Sequence, residues 1–251
     1  MEGGIIEKMK RDISQLAPSL SVECKEIILG SLLGDGSLKI SRGYQNARFS
    51  FRHSEKYKDY FFWKVERLKE ISGEKCWWRQ RDGRLRYQSL ALPELTEIYK
   101  FCSKRGKFKV RRRWLNLLTP RALAVWWMDD GSLVKNSRQG VFCTDKFTLK
   151  EQKVLARYLY KVWKIRVKIG KSKRGYYRLW IRSTEMLKKF LRIILPYVEV
   201  ESMLPKVILL YKDSQLQKRW TSEVARLTKF PLETIERYLA QKKAKWKNFR
   251  G

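Results

Sequence analysis

Two stretches of the sequence each end an apolar run with an aspartate, a glycine and a serine. The first is ILGSLLGDGS, residues 28–37, and the second is LAVWWMDDGS, residues 123–132. The dipole of a helix disfavours carboxylates at its C-terminus, so the repeated placement indicates a function for Asp35, Asp129 and Asp130. Carboxylates that are forced close together repel one another, which favours a cation bound between them.

The second stretch is predicted to be a buried helix. Thr119 is a good N-cap and Pro120 suits the first helical position, where its missing N–H costs nothing. These signals predict a helix over residues 120–129 that Gly131 ends. The helix is apolar on nearly all sides, so we expect it to be buried.

The first stretch is predicted to be a helix of the same kind. Ser21 can cap it, and Asp35 follows its end. Gly30 and Gly34 lie on one face, where a second backbone could approach closely. Two buried helices packed side by side would bring Asp35 and Asp130 together.

The composition indicates a polyanionic partner. The chain has 251 residues, with 57 Lys plus Arg against 25 Asp plus Glu and a formal net charge of +32. No apolar run reaches the length of a membrane-spanning helix, and the N-terminal residues lack the features of a secretory signal. We therefore expect a folded, nucleic-acid-binding protein without a membrane partner. Its expected location is intracellular, in a bacterial or archaeal cytoplasm or in an organelle.

The cysteines and the histidine do not form a recognisable chemical motif. The chain has four cysteines without a C-x-x-C pair and one histidine, His53. This pattern argues against a zinc site and against a Cys–His or Ser–His nucleophile. We interpret these five residues as core or surface residues in a reducing compartment, so metal chemistry must depend on carboxylates.

The elements that follow the two acidic motifs repeat in the same order. Alternating and helical stretches predict an internal duplication of the form helix–hairpin–helix–hairpin–helix. In the first half, Asp82-Gly83 is a signal for a two-residue hairpin turn. Pairing across that turn places four arginines on one face and four other residues on the opposite face: Arg79, Arg81, Arg84 and Arg86 against Trp78, Gln80, Leu85 and Tyr87.

The second half has a comparable basic stretch. In KIRVKI, residues 164–169, Lys164, Arg166 and Lys168 alternate with apolar residues, which predicts a strand with one basic face. Like charges directly opposite one another destabilise a sheet. The repeated basic faces therefore indicate contact with phosphates and base edges of DNA.

The sequence resembles the single-chain LAGLIDADG homing endonucleases of the type encoded in group I introns. The motifs correspond to residues 28–36 and 123–131, and the supporting stretches are ARFSFRHSEK, LLTPRALAVWWMDDGS and LPYVEVESMLPK. The resemblance covers residues 21 to about 210. It implies an α+β fold in which two pseudo-symmetric αββαββα halves form a saddle over DNA. We expect a first half over residues 1–115, a second over 116–210 and a helical C-terminal extension over 211–251.

The resemblance also implies the metal ligands. Asp35 and Asp130 would bind Mg²⁺, for which Mn²⁺ substitutes, and Gly34 and Asp129 would contribute their backbone carbonyl groups. Mg²⁺ is a hard cation that prefers oxygen ligands, and bound metal ions can stabilise the attacking and leaving oxygens of a phosphodiester.

The family places one lysine of each half near the metals. In the second half, MLPK identifies Lys206. In the first half, GKFKVRRR lacks the proline of the family pattern, so Lys107 and Lys109 are both eligible. We favour Lys107.

The expected partner is double-stranded DNA, bound by a monomer at an asymmetric site. The asymmetry follows from the diverged helix faces, since Gly30 and Gly34 would face Val125 and Asp129. The expected DNA contacts are basic residues of the hairpins and adjoining loops: Arg42, Arg48, Arg52, Arg79, Arg81, Arg84, Arg86, Lys164, Arg166, Lys168, Lys171, Lys173, Arg178 and Arg182.

The predicted function is therefore site-specific, metal-dependent cleavage of both DNA strands. The competing hypothesis is a binder that does not cleave, either an intron RNA maturase or a DNA-binding regulator on the same scaffold. A maturase would take intron RNA as a partner, and maturase activity could coexist with cleavage. A basic ribosomal-type protein is a third interpretation, and the buried acidic residues argue against it.

The C-terminal residues lie beyond the resemblance. SEVARLTKFPLETIERYLAQ predicts two short helices, which suit a helix-turn-helix or a generic helical hairpin. The basic end KKAKWKNFR could add phosphate contacts. The alternative is that Trp220, Leu227 and Leu239 pack the extension against the core.

Overall fold

The structure, a computed structural model, describes residues 4, 9, 12–135, 137–172 and 174–245. The chain divides into two compact units, Met1–Asp129 and Asp130–Gly251. Within the described residues, no helix is long and apolar enough to cross a membrane.

After helical residues 12–14, the first unit contains the helix of the first acidic motif, and it ends with nearly all of the helix of the second. Short 3₁₀ turns at Glu55–Tyr57 and Lys69–Ile71 flank α2. The helices and strands are α1 (Val22–Leu33), β1 (Ser37–Lys39), β2 (Arg48–His53), α2 (Lys58–Arg67), β3 (Trp77–Arg79), β4 (Leu85–Gln88), α3 (Pro93–Cys102), β5 (Ser103–Lys104), β6 (Lys107–Phe108), α4 (Arg112–Leu115) and α5 (Pro120–Asp130).

Over residues 131–194 the second unit repeats the order of two strands, a helix, two strands and a helix that β1 to α3 have in the first. Two 3₁₀ segments, Leu195–Tyr197 and Glu201–Lys206, precede its last two helices. The helices and strands are β7 (Gly131–Val134), β8 (Gln139–Phe142), α6 (Leu149–Trp163), β9 (Lys168–Lys171), β10 (Tyr177–Ile181), α7 (Thr184–Ile194), α8 (Ser214–Thr228) and α9 (Leu232–Ala244).

The two four-stranded sheets have equivalent topology, which confirms the duplicated α+β fold. The first sheet has the strand order β1-β2-β4-β3 and the second has the order β7-β8-β10-β9, with every neighbouring pair antiparallel. In each sheet the apolar face packs on helices and the other face carries most of the polar and basic residues. This alternation is expected when one face of an antiparallel sheet is buried.

The helix signals in the sequence are confirmed. The side chain of Ser21 accepts a hydrogen bond from the amide of Cys24 at 3.1 Å, and that of Thr119 accepts one from Ala122 at 3.3 Å. These bonds satisfy amide groups that have no partner within the first turn of a helix. Both helices are almost entirely buried.

Helices α1 and α5 approach closely at the two glycines of the first motif. A Cβ atom added at Gly30 would lie 2.4 Å from the carbonyl oxygen of Ala122 and 2.9 Å from the Cβ of Val125. One added at Gly34 would lie 2.4 Å from the Cβ of Asp129. The predicted pairing of Gly30 and Gly34 with Val125 and Asp129 is therefore confirmed.

The hairpin β3–β4 has a three-residue loop instead of the predicted two-residue turn. Gln80 donates its amide to the carbonyl of Arg84 at 2.8 Å, and the amide of Gly83 donates to the carbonyl of Gln80 at 3.0 Å. Gly83 has a φ of +76°, which glycine adopts without the steric cost of a Cβ. A glycine of this kind at the third loop position is typical of three-residue hairpins.

The longer loop changes which side chains share a face. A shift of one residue moves a side chain to the other face of a strand. Trp78 pairs with Arg86, and Arg79 pairs with Leu85, whose side chain is buried. The prediction that the four arginines share one face is therefore wrong: Arg79 lies on the opposite face from Arg86, and Arg81 lies in the loop.

The predicted strand over residues 164–169 is also partly wrong. Helix α6 continues to Trp163, and Lys164 caps it in the left-handed conformation at φ +56°. The strand β9 begins only at Lys168. Because the left-handed residue reverses the chain direction locally, Lys164 and Arg166 lie outside the strand and only Lys168 belongs to the expected basic face.

The C-terminal extension forms the two predicted helices, α8 and α9, within the second unit. The side chains of Trp220 and Leu239 are buried, and Leu227 is half-buried. This packing supports the interpretation that the extension stabilises the core. Part of the basic end, residues 246–251, lies outside the described residues.

Candidate metal centre and nucleic-acid interface

The side chain of Asp129 lies in a buried polar network of the first unit. It projects from the end of α5, opposite Gly34, whose missing Cβ leaves space for it. Lys64 of α2 places its Nζ 3.2 Å from both carboxylate oxygens, and the Tyr60 hydroxyl donates to Oδ1 at 2.9 Å. Both charged side chains are fully buried. A buried carboxylate requires such a cation and such hydrogen bonds to remain charged.

Asp35 is bound to this network through its backbone. Its amide donates to Oδ2 of Asp129 at 3.2 Å, so the buried carboxylate holds the end of α1 in place. The side chain of Asp35 is 40% exposed. The network therefore fixes the backbone of Asp35 and leaves its carboxylate at the surface.

His53, at the end of β2, contacts both acids. Its Nδ1 lies 3.4 Å from the Asp35 carboxylate and its Nε2 lies 3.8 Å from that of Asp129. The Nε2 atom is buried and has no hydrogen-bond partner among the described residues. The histidine that the sequence analysis treated as a core or surface residue is therefore part of the candidate metal centre.

The donor atoms of the first unit are compatible with a divalent cation. Asp35, His53 and Asp129 each offer a ligand atom, and these atoms lie within 4.8 Å of one another. Lys64 neutralises Asp129, and the bonds described above engage both of its oxygens. The exposed carboxylate of Asp35 is therefore the best ligand, and its oxygen chemistry suits Mg²⁺.

In the second unit, Asp130 lies in a cluster of charged groups around Cys143. The amide of Cys143 donates to the backbone carbonyl of Asp130 at 2.9 Å. Burial raises the pKa of the Cys143 thiol, and Arg178 and Lys206 oppose this shift while the Asp130 carboxylate adds to it. The charges of Asp130 and Lys206 therefore both act on Cys143.

Arg178 is engaged by a neighbouring acid. Its guanidinium donates two hydrogen bonds of 2.6 Å to the carboxylate of Asp145, and this bonding raises the pKa of Arg178. Arg178 still lies on the polar face of its sheet, opposite Gly170. A DNA phosphate would have to compete with Asp145 for it.

The open face of the first sheet is basic. Arg52 lies directly opposite Arg86, and Lys39 lies opposite Arg48. Such like-charged pairs are unfavourable without an anion nearby. The face borders a groove of about 370 Å³ that Asp35 also lines. Its other lining residues are Ser37, Lys39, Ser41, Arg48, Ser50, Phe51, Arg52, Arg86 and Gln88.

The open face of the second sheet is less strongly basic. Lys168 lies opposite Trp180, and Arg178 is two positions before Trp180 on β10. Arg182 follows β10 on the same side, since its guanidinium lies 3.9 Å from the position of a Cβ at Gly170. These three basic residues are the predicted contacts that the structure brings together here.

Several predicted DNA contacts lie elsewhere. Arg79 donates to the carboxylate of Glu55 at 2.9 Å, and Arg166 lies over the ring of Tyr160. Lys171 lies over Tyr177, on the face opposite Arg178. Arg42, Arg81 and Lys164 are exposed loop or cap residues, and Arg84 lies beside the hairpin loop. Lys173 lies outside the described residues.

The two candidate lysines of the first half both lie at the surface. Lys107 is in β6, paired with Lys104, and Lys109 follows the strand and donates its amide to Cys102 at 3.1 Å. The lysine that binds Asp129 is Lys64, which was not among the residues predicted from the sequence. Its only sequence signal is a charged residue at a position that an amphipathic helix would bury.

Comparison with known proteins identifies relatives of this chain. The sequence model of the LAGLIDADG DNA endonuclease family matches residues 25–190. The chain is 30% identical over 193 residues to the protein RecA of Mycolicibacterium flavescens, a match that covers 71% of this chain and 45% of that protein. The chain thus spans less than half the length of this relative.

Two further relatives differ in the function that their names describe. The chain is 30% identical over 166 residues to the DNA endonuclease I-ChuI of Chlamydomonas applanata, covering 57% of this chain and 76% of that protein. It is 27% identical over 212 residues to the cytochrome b mRNA maturase bI2 of Saccharomyces cerevisiae, and the match covers 75% of this chain and 48% of that protein.

The fold also matches that of a solved homing endonuclease. The structure of I-WcaI bound to its DNA recognition sequence aligns with a TM-score of 0.67 at 20% identity, covering 82% of this chain and 93% of that one. At this identity the match concerns the fold alone. Together with the family match over residues 25–190, the duplicated topology shows that the chain belongs to the LAGLIDADG DNA endonuclease family.

Proposed function

We propose that the chain is a site-specific endonuclease that binds double-stranded DNA as a monomer and cleaves both strands at a long asymmetric site. The observation that carries the proposal is the exposed carboxylate of Asp35 in a groove lined by Arg52 and Arg86. When DNA phosphates engage these arginines, the Asp35 carboxylate faces another anion, and a bound divalent cation would offset that repulsion.

The basic faces would hold the DNA. Lys39, Arg48, Arg52 and Arg86 of the first sheet offer donors to phosphates and base edges, and Arg is the usual bidentate partner of guanine. Lys168, Arg178 and Arg182 would do the same in the second sheet. The different sequences of the two faces support an asymmetric target.

Asp35 and Asp130 would hold the metal ions, with the backbone carbonyls of Gly34 and Asp129 as further oxygen ligands. Mg²⁺, or Mn²⁺ in its place, would lower the pKa of water in the site and would stabilise negative charge on the phosphate. The Asp129 side chain acts as a positioning group, because it accepts the amide of Asp35 at 3.2 Å.

Lysines would stabilise the negative charge that develops on the phosphate. In the second unit this is Lys206, which shares the surroundings of Cys143 with Asp130. In the first unit Lys107 or Lys109 would have this role. A lysine ammonium suits the role because it is a compact point charge with three donors.

The test is cleavage of a random-site DNA library in the presence of Mg²⁺ and, separately, of EDTA. We expect a single class of sites to be cut, only with the metal and not by the variants Asp35→Asn and Asp130→Asn. A protein that selects one site tightly but leaves it intact with both Mg²⁺ and Mn²⁺ would contradict the proposal.

A second candidate function is binding of intron RNA as a maturase. The observation that favours it is the similarity to the maturase bI2 over 75% of this chain. Splicing of an intron that contains the coding sequence, compared with and without the protein, tests it. Asp35→Asn should leave splicing unchanged if the metal site serves DNA cleavage alone.

A further inference from the structure

The residues that follow Lys206 are buried although they have no regular secondary structure. Residues 207–210 follow the 3₁₀ segment and are almost completely inaccessible. Buried backbone groups outside helices and strands need other hydrogen-bond partners. The amides of Val207 and Ile208 donate to the carbonyl of Leu204, and further partners come from the two C-terminal helices.

Helix α8 supplies partners for the C-terminal side of the segment. The indole of Trp220 donates to the carbonyl of Val207 at 3.2 Å. The side-chain amide of Gln217 donates to the carbonyl of Leu209 at 3.1 Å and accepts the amide of Tyr211 at 2.9 Å. Both side chains are buried, so these bonds are shielded from water.

Helix α9 supplies partners on both sides of Lys206. The Nζ of Lys242 donates to the carbonyls of Pro205 at 2.7 Å and of Ile208 at 2.6 Å. Burial lowers the pKa of Lys242 to about 7, and a neutral amine retains two N–H groups for these two acceptors. One amine therefore joins the residue before Lys206 to a residue two positions after it.

A surface ion pair adds a contact at the start of the segment. The guanidinium of Arg237 donates to the carboxylate of Glu201 at 2.7 Å, and both side chains are largely exposed. Helix α9 thus contacts the chain at Glu201, Pro205 and Ile208. Exposed pairs of this kind contribute little stability, so the buried contacts carry the attachment.

We propose that α8 and α9 form a clasp that fixes the backbone on both sides of Lys206, with Lys242 as a positioning residue for that lysine. The clasp itself depends only on the contacts above, whereas its effect on cleavage rests on the proposed function. The C-terminal extension then serves the reaction by orienting a lysine, since small displacements of a positioned group slow a reaction strongly.

The variant Lys242→Met removes both hydrogen bonds and keeps the length of the side chain. Lys245→Met is the matched control, because Lys245 caps the same helix, is exposed and undergoes the same substitution. Arg237→Gln is a milder variant that removes only the surface pair with Glu201. It retains the buried contacts and so should fold even if Lys242→Met does not, and unchanged exchange at residues 201–205 in this variant would mean that α9 does not restrain the start of the segment.

The first measurement is amide hydrogen exchange of residues 201–211. We expect exchange in this segment to be about tenfold faster in Lys242→Met and slightly faster in Arg237→Gln, with Lys245→Met unchanged. Equal exchange in Lys242→Met and Lys245→Met would overturn the clasp. This measurement does not depend on cleavage, so it remains informative if the wild type cuts no DNA and the proposed function fails.

The second measurement separates the chemical step from DNA binding. At saturating DNA and a temperature where every variant is folded, single-turnover cleavage by Lys242→Met should be roughly ten to a hundredfold slower than by Lys245→Met. The dissociation constant for DNA in Ca²⁺ should be the same for both variants. Faster amide exchange in Lys242→Met together with equal cleavage rates for the two variants would overturn the positioning role. A loss of DNA affinity in Lys242→Met without a slower cleavage step would overturn it as well.

Discussion

The ammonium group of Lys64 lies 3.2 Å from each carboxylate oxygen of Asp129, and neither side chain is accessible to solvent. The two charges depend on each other, since removing one member of a buried pair leaves an uncompensated charge in a medium that solvates it poorly. The pair also supports Asp35, whose amide binds the same carboxylate.

The first prediction concerns this pair. Lys64→Met should lower the free energy of unfolding by about 3–5 kcal/mol, measured by urea denaturation, because Asp129 is then buried without a partner. The double variant Lys64→Met, Asp129→Asn should recover a large part of the loss. The control Lys69→Met breaks the exposed pair with Glu66 and should cost less than about 1 kcal/mol. Similar losses for Lys64→Met and Lys69→Met would contradict the assignment of a buried pair.

The second prediction concerns the two acids of the motifs. Asp35→Asn and Asp130→Asn should each abolish double-strand cleavage and keep or improve the affinity for DNA, since each removes a negative charge near phosphate. The control is Asp82→Asn, which removes a negative charge in the β3–β4 loop. Gel analysis of cleavage products and a binding titration measure the two effects. Full cleavage by either variant would rule out its carboxylate as a metal ligand.

The third prediction follows from the register of the β3–β4 hairpin. Arg86→Ala should relax the preference for particular base pairs by about 1–3 kcal/mol, whereas Arg79→Ala, on the opposite face, should leave specificity unchanged. Competition assays with single-base variants of the target measure the difference. If Arg86→Ala weakens binding to all sites equally, its guanidinium contacts phosphate and does not read a base.

The fourth prediction concerns pH and Lys242. Its pKa is about 7 in the folded protein, below the ordinary value of 10.5 that applies to the unfolded chain. Between these values the unfolded chain binds more protons, so rising pH favours the folded state. The stability of the wild type relative to Lys242→Met should increase from pH 7 to pH 10 by at most about 1.4 kcal/mol per pH unit. Urea midpoints at several pH values measure it, and a difference independent of pH would contradict the lowered pKa.

Local signals in the sequence predicted the helices and their contact well. The caps Ser21 and Thr119 and the glycines Gly30 and Gly34 have direct physical consequences at their own positions, so they can be recognised without knowledge of the fold. The duplicated topology followed from the order of these local signals.

The predictions from the sequence were wrong or incomplete where one residue of loop length or a tertiary contact decides where a side chain lies. The sequence RDG permits both a two-residue and a three-residue loop, and the choice moved Arg79 to the other face. The burial of Lys64 and the contact of His53 with Asp35 depend on residues distant in the sequence. No local pattern distinguishes such side chains from those of an ordinary amphipathic helix or strand.

The contact between Gly34 and Asp129 requires two different helices. In a symmetric dimer of one half, identical positions would meet across the helix pair. Two copies of α1 would set glycine against glycine, where no side chain fills the contact, and two copies of α5 would direct two aspartates towards each other. Neither helix could therefore be replaced by a copy of the other without loss of this contact, so the two motif helices are no longer interchangeable.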